Sequence, residues 1–202
     1  MSDVVAIILA AGRATRFGAG PDTTKALALL QGKALVCWVT EAALASRAST
    51  VIVVTGHASA AVDSALASLP VHRVKNPAYA EGMAGSLKAG LEALPQRASG
   101  AVVLLADMPK VTPAIIDRLI SSYESGGSKV DAVVPVRNGR LGNPVLLGRS
   151  IFAAVGTLSG DQGARRLFDD PQRIVLSCPI DDEAIEIDVD TPAALAALDR
   201  AG

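Results

Sequence analysis

Near its start the chain runs Val4-Val5-Ala6-Ile7-Ile8-Leu9 and then empties into Ala10-Ala11-Gly12-Arg13-Ala14-Thr15-Arg16-Phe17-Gly18. An unbroken apolar run of this length is too short to cross a membrane and reads as a strand buried on both faces. The segment that follows is small residues, glycines and two arginines. Small residues let backbone N–H groups approach a ligand closely, and arginine adds fixed positive charge. A buried strand ending in such a loop is a phosphate-binding arrangement at the edge of an α/β sheet. The glycines do not form G-x-G-x-x-G and no G-K-[ST] follows, so neither the dinucleotide fingerprint nor a P-loop is present.

The rest of the chain repeats the theme. Val51–Val54, Val71–Val74, Ala101–Ala106, Asp131–Val136 and Ile174–Leu176 read as strands, and Ile185–Val189 alternates as a last strand would. Helical spacing appears over Ala34–Ser46, Ala58–Ser68, from Ser86 to the residue before Pro95, after the cap-and-proline pair Thr112-Pro113, and again after Thr191-Pro192. Ala26–Leu30 is a short apolar segment followed by a turn at Gln31-Gly32-Lys33, and shorter helices are expected over Ser150–Val155 and Gly160–Phe168. Asn138-Gly139 makes a tight turn toward a partner strand at Asn143–Leu147. Uniformly apolar strands alternating with helices imply a three-layer α/β/α architecture around a mostly parallel, Rossmann-like sheet, with one β-hairpin excursion. With 202 residues, no linker and no repeat, the expectation is one domain over residues 1–202.

Composition narrows the function. The net charge of −1, with acids and bases interspersed, argues against nucleic-acid binding. Cys37 and Cys178 are the only cysteines, far apart and without C-x-x-C spacing, which reads as two reduced thiols in a cytoplasmic protein. The opening run has no basic region before it and leads straight into the glycine loop, so neither a signal peptide nor a membrane span is expected.

In such a sheet, ligands bind beyond the carboxyl ends of the strands. Three features fall there: the loop after Leu9, Asp107 after Ala106, and Asp188 or Asp190 around Val189. Two carboxylates facing a phosphate cradle would hold Mg²⁺, which takes hard oxygen ligands and shares its shell with phosphate and water. Each acid also has a plainer role: Asp107 as a turn cap before Met108-Pro109, Asp190 as a cap beside Thr191.

Several segments resemble, in order, the nucleotidyltransferases that act on molybdenum cofactor, the MobA-like family. The opening loop is similar to L-A-A-G-x-x-x-R-[MF]-G, Leu104–Pro109 to L-x-[GA]-D-M-P, and Ile187–Pro192 to D-[IV]-D-T-P. Glu81-Gly82-Met83-Ala84-Gly85-Ser86-Leu87 resembles the E-G-M-x-x-S-[LI] loop of the cytidylyltransferase branch, where guanylyltransferases usually read L-A-G-G and G-P-L-A-G instead. Gly142-Asn143-Pro144-Val145 and Gly160-Asp161-Gln162-Gly163-Ala164-Arg165 resemble G-x-P-V and G-D-x-G-A-R. The path from Gly18 to Lys25 is longer than in many relatives, and Thr24 stands where they often carry Asp or Asn.

The resemblance implies a fold of the nucleotide-diphospho-sugar transferase type and cytidylyl transfer from CTP to the terminal phosphate of molybdenum cofactor, with pyrophosphate leaving. It implies catalytic roles for Arg16, Lys25 and Asp107, and nucleotide contacts from Leu9, Ala10, Ala11, Gly12, Arg13, Arg16, Lys25, Gly82 and Ser86. Mg²⁺ would sit on Asp107 with Asp190 or Asp188, and the acceptor side would be Asn143, Pro144, Asp161 and Arg165. Plainer roles stand beside these: an N-cap for Ser86, a hairpin-shaping role for Asn143, a solvated helix position for Arg165. A molybdoenzyme or its insertion chaperone would be the protein partner. The competing readings are a guanylyltransferase, a sugar- or polyol-phosphate cytidylyltransferase, an oxidoreductase, which the missing G-x-G-x-x-G disfavours, and a non-catalytic cofactor chaperone.

Overall fold

The computed structural model describes residues 3–13, 17 and 23–200. The strands are β1 (Val4–Ala10), β2 (Leu29–Leu30), β3 (Lys33–Ala34), β4 (Val51–Thr55), β5 (His72–Lys75), β6 (Gly100–Leu105), β7 (Ala132–Arg137), β8 (Arg140–Leu141), β9 (Val145–Gly148) and β10 (Val175–Pro179). The α-helices are α1 (Leu35–Leu44), α2 (Ser59–Ala65), α3 (Met83–Glu92), α4 (Pro113–Gly126), α5 (Phe152–Val155) and α6 (Pro192–Arg200).

Among the described residues, the main sheet has eight strands in the order β10-β7-β9-β6-β1-β4-β5, with β8 paired to β7. The pairs of β1 with β4 and β6, of β4 with β5, and of β7 with β10 are parallel. Strand β9 runs antiparallel between β6 and β7. The central position of β1 explains its unbroken apolar sequence: both faces of Val4–Ile8 are buried. Val4, Ala6 and Ile8 pack with residues of α1, α2 and α4, whereas Val5 and Ile7 face the layer that holds α3. Period-two alternation along one strand thus feeds two separate cores, and the three-layer expectation holds. At the edge, β5 carries His72, Arg73 and Lys75, charged or polar side chains that discourage further pairing.

Several local expectations change. Helix α3 begins at Met83 rather than at Ser86, because Gly82, at φ 114°, turns the chain before it. The Asn138-Gly139 turn leads into the two-residue β8, and β9 starts only at Val145, pairing with β7 lower down. The helix expected over Gly160–Phe168 is a 3₁₀ segment, Ala164–Asp169, preceded by a loop in which Gly160 takes φ 58°. The strand expected at Ile174–Leu176 is shifted to Val175–Pro179, and Ala26–Leu30 divides into a 3₁₀ turn and β2.

Ile185–Val189 forms no strand. Glu183–Ile185 is a 3₁₀ turn capped by the Asp182 carboxylate, and the following stretch lies across the sheet end, where the Val189 N–H donates to the Asp107 carbonyl at 2.9 Å. Its alternation comes from Ile185 and Val189 being packed inward, not from a ladder. Helix α6 then lays Leu195 and Leu198 against Leu30, Leu35 and Val189. No helix of the described residues is long and apolar enough to cross a membrane.

Candidate active site

The carboxyl ends of β1 and β6 open into a cleft of about 360 Å³. Its walls come from four stretches: Leu9–Arg13 after β1, Thr24–Ala26, Tyr79–Ser86 at the start of α3, and Leu105–Asp107 after β6, with Asp161 reaching in from the loop before the 3₁₀ segment. Adjacent parallel strands bring the first and last of these together. Leu9 is in register with Leu105, and the Ala106 N–H donates to the Leu9 carbonyl at 3.2 Å.

The loop after β1 is held by its backbone. The His57 N–H donates to the Ala11 carbonyl at 3.1 Å, and the Thr24 hydroxyl donates to the Gly12 carbonyl at 3.0 Å. Arg13 lies over the Tyr79 ring, 5.4 Å from its centroid. Tyr79 packs so closely on Gly56 that a Cβ there would meet the Tyr79 Cβ at 2.5 Å. Residues 14–16 and 18–22 lie outside the described residues, so the expectation for Arg16 falls there.

Lys25 stands at the centre of the charge. Its ammonium is ion-paired with Asp107 and lies 2.6 Å from Asp190 Oδ1. Partial burial works against the ammonium, yet the two carboxylates outweigh it and hold its pKa above the ordinary lysine value. The second carboxylate oxygen of Asp107 is buried without a hydrogen-bond partner among the described residues. The Asp188 carboxyl is pushed above the usual range, by partial desolvation first and then by the nearby Asp190 and Asp107 charges. Three acids with one lysine leave net negative charge here, with an unsatisfied hard oxygen at its base. Among the described residues, no group of three or more His, Cys, Asp or Glu is arranged as a metal site made by protein alone.

On the opposite wall, a Cβ on Gly82 would meet the Gly160 carbonyl carbon at 2.2 Å, and the Ala84 N–H donates to the Gly160 carbonyl at 3.0 Å. Two segments far apart in sequence, around Gly82 and Gly160-Asp161, are therefore one wall. Ser86 lies within α3, buried, and accepts a hydrogen bond from Asn76 Nδ2 at 3.1 Å. It is not an N-cap.

Of the residues singled out from sequence, Leu9, Ala10, Ala11, Gly12, Arg13, Lys25, Gly82, Ser86, Asp107 and Asp161 share this cleft. Asp190 joins it through Lys25. Asn143 and Pro144 do not line it. They precede β9, whose register with β6 puts them at the same sheet edge, and the Asn143 N–H donates to Ile185. Arg165 donates to the Gly142 carbonyl at 2.5 Å, which ties the loop before β9 in place. Thr24, noted from sequence only as a departure from the residue relatives carry before the lysine, lines the cleft, and so does Tyr79, which nothing in the spacing marks. Asn76 supports Ser86 from behind, and only the order Asn76-Pro77 before a loop hints at it.

Residues 6–174 match the MobA-like NTP transferase domain. The chain belongs to that family. It is a nucleotidyltransferase by family, and the cleft at the carboxyl edge of β1 and β6 is its candidate active site. It is 31% identical over 192 residues to the nicotine blue oxidoreductase of Paenarthrobacter nicotinovorans, covering 93% of this chain and 92% of that one. The Rv0371c protein of Mycobacterium tuberculosis H37Rv superposes with a TM-score of 0.84 at 27% identity over 98% of both chains. A structure of the same protein in complex with manganese has a TM-score of 0.81 at 25% identity over 100% of both chains. The molybdopterin-guanine dinucleotide biosynthesis protein A of Archaeoglobus fulgidus shares the fold, with a TM-score of 0.72 at 19% identity over 97% of both chains.

Proposed function

We propose that this protein transfers the cytidylyl group of CTP to the terminal phosphate of molybdenum cofactor. The observation that carries the transferase chemistry is the Lys25 ammonium set between Asp107 and Asp190 beside the backbone of the β1 loop. An acceptor phosphate oxygen attacks the α-phosphorus, the bond to the β-phosphate oxygen breaks, and pyrophosphate leaves. Both reactants are anions, so the protein has to bring them together and offset their charge.

The residues do this in distinct ways. Backbone N–H groups of the Ala11–Arg13 stretch cradle phosphate oxygens, and Arg13 and Arg16 add fixed charge. Lys25 supplies a further positive charge. Asp107 and Asp190, with Asp188 beside them, suit a divalent cation: the donors are hard oxygens, and one Asp107 oxygen is buried without a partner among the described residues. Bound there, Mg²⁺ would neutralise phosphate charge and polarise the phosphoryl oxygens. Two carboxylates fill only part of such a shell, and nucleotide and water would complete it. CTP is supported over GTP by Leu9-Ala10-Ala11-Gly12 and Gly82-Met83-Ala84-Gly85-Ser86, which resemble the cytidylyltransferase forms of those loops.

The test is pyrophosphate release with CTP, GTP, ATP and UTP in MgCl₂, with and without molybdenum cofactor. Release with CTP that depends on the cofactor supports the proposal; release with GTP alone moves the protein to the guanylyltransferase branch. A redox reading is favoured by one finding, the nearly full-length similarity to a nicotine blue oxidoreductase. Stabilisation by NADPH but by no nucleoside triphosphate would favour it.

A further inference from the structure

Asn76 follows β5 and is 4% exposed; Ser86, in the first turns of α3, is 5% exposed. The orientation of the Asn76 amide is set by backbone. The Ala78 N–H donates to Asn76 Oδ1 at 3.0 Å, so the amide nitrogen faces Ser86 and donates to its Oγ at 3.1 Å. An amide nitrogen cannot accept, so the Ser86 hydroxyl must direct its own proton elsewhere. Among the described residues no acceptor takes that proton, and Ser86 lines the cleft. A buried hydroxyl in this state costs free energy until a ligand supplies the acceptor.

We infer that Asn76 is a positioning residue that fixes Ser86 as a hydrogen-bond donor into the cleft, directed at the ring carbonyl oxygen of the nucleobase, the 2-oxo group in cytosine. This rests on the reading that a nucleoside triphosphate lies in the cleft, and it follows from the distribution of charge. The cations Arg13 and Lys25 belong to the opposite stretches, whereas Gly82 and Met83 beside Ser86 are neutral. With the divalent cation that Asp107 and Asp190 would hold, the triphosphate goes to Arg13 and Lys25, and the uncharged base to Ser86. A donor at this point favours a base that presents an exocyclic carbonyl oxygen to it, as cytosine does. The hydrogen bonds that fix the donor lie outside the contact itself, so the preference depends on a residue that does not touch the base.

The experiment compares dissociation constants for CTP and 2-thio-CTP in MgCl₂, since sulfur is the poorer acceptor. Wild type should bind 2-thio-CTP on the order of three- to tenfold more weakly than CTP. Ser86→Ala should bring the ratio to about one. Asn76→Asp keeps an acceptor for Ala78 but turns the other oxygen on Ser86, so the hydroxyl proton is drawn away and the ratio should also approach one. The double variant should lose nothing further. Asn76→Ser replaces Asn76→Asp if the latter does not fold, as judged by thermal denaturation. A wild-type ratio near one, or a full wild-type ratio in Ser86→Ala or in the folded Asn76 variant, overturns the inference while leaving CTP binding intact. Failure of wild type to bind any nucleoside triphosphate overturns the functional reading instead.

Discussion

Lys25 Nζ lies 2.6 Å from Asp190 Oδ1, 165 positions away in the chain, and is paired at the same time with Asp107. One ammonium thus bridges two carboxylates that would otherwise repel each other. A divalent cation drawn to the same carboxylates competes electrostatically with it. Lys25→Met should therefore bind Mn²⁺ alone more tightly than wild type, by about tenfold, and bind CTP more weakly. Titration of Mn²⁺ by electron paramagnetic resonance, without nucleotide, checks this. Equal affinities would separate the lysine from the metal site.

Asp107 has one oxygen on Lys25 and one buried without a partner among the described residues. Asp107→Asn keeps the shape and removes the charge. Pyrophosphate release should fall on the order of 10²–10³-fold, the usual effect of removing one electrostatic contributor from a transition state. Far-UV circular dichroism should be unchanged. Wild-type turnover in this variant would take Asp107 out of the chemistry.

Asp131 bears on stability rather than catalysis. It is 7% exposed, and its carboxylate accepts from the Ser150 hydroxyl at 2.7 Å and the Ile174 N–H at 2.9 Å, with Arg173 at 3.5 Å. Burial alone would raise its pKa, but these partners together hold it below the usual carboxylate range. Its contribution to stability is therefore complete above the ordinary aspartate pKa and is lost as pH falls through the depressed one. Asp131→Ala should cost about 2–4 kcal/mol at neutral pH. The gap to wild type should close in acid, as followed by urea denaturation at a series of pH values.

Gly82→Ala tests how the two loops form one wall. The position has φ 114°, and its Cβ would stand 2.2 Å from the Gly160 carbonyl carbon, a backbone atom that has no rotamer to yield. Backbone strain alone costs about 1–3 kcal/mol, and the clash adds to it by moving the Gly160-Asp161 loop. Both thermal stability and CTP affinity should drop. A variant with unchanged affinity would mean that this wall does not shape the nucleotide site.

How much of this is legible along the chain depends on the range of the interaction. The apolar run of β1 and the cap-and-proline starts of α4 and α6 are local statements, and they reappear where they were read. The ordered motifs also placed Asp107 and the β1 loop in one cleft, because adjacent parallel strands must end at the same edge. Three readings failed for one reason: Ser86 as a cap, Ile185–Val189 as a strand, and Gly160–Phe168 as a helix all lie where a distant backbone overrides local preference. Gly160 presses on Gly82, and Asp107 accepts from Val189.

The sequence by itself determined the layers, the buried strands and the residue types offered to an anionic ligand, since periodicity and turn chemistry act over a few residues. Only the tertiary structure decided which charges meet, that Lys25 stands between Asp107 and Asp190, and that Asn76 orients Ser86. Those contacts join segments whose separation along the chain carries no information about their distance in space. It is the register of strands and the packing of loops across the sheet edge that set it.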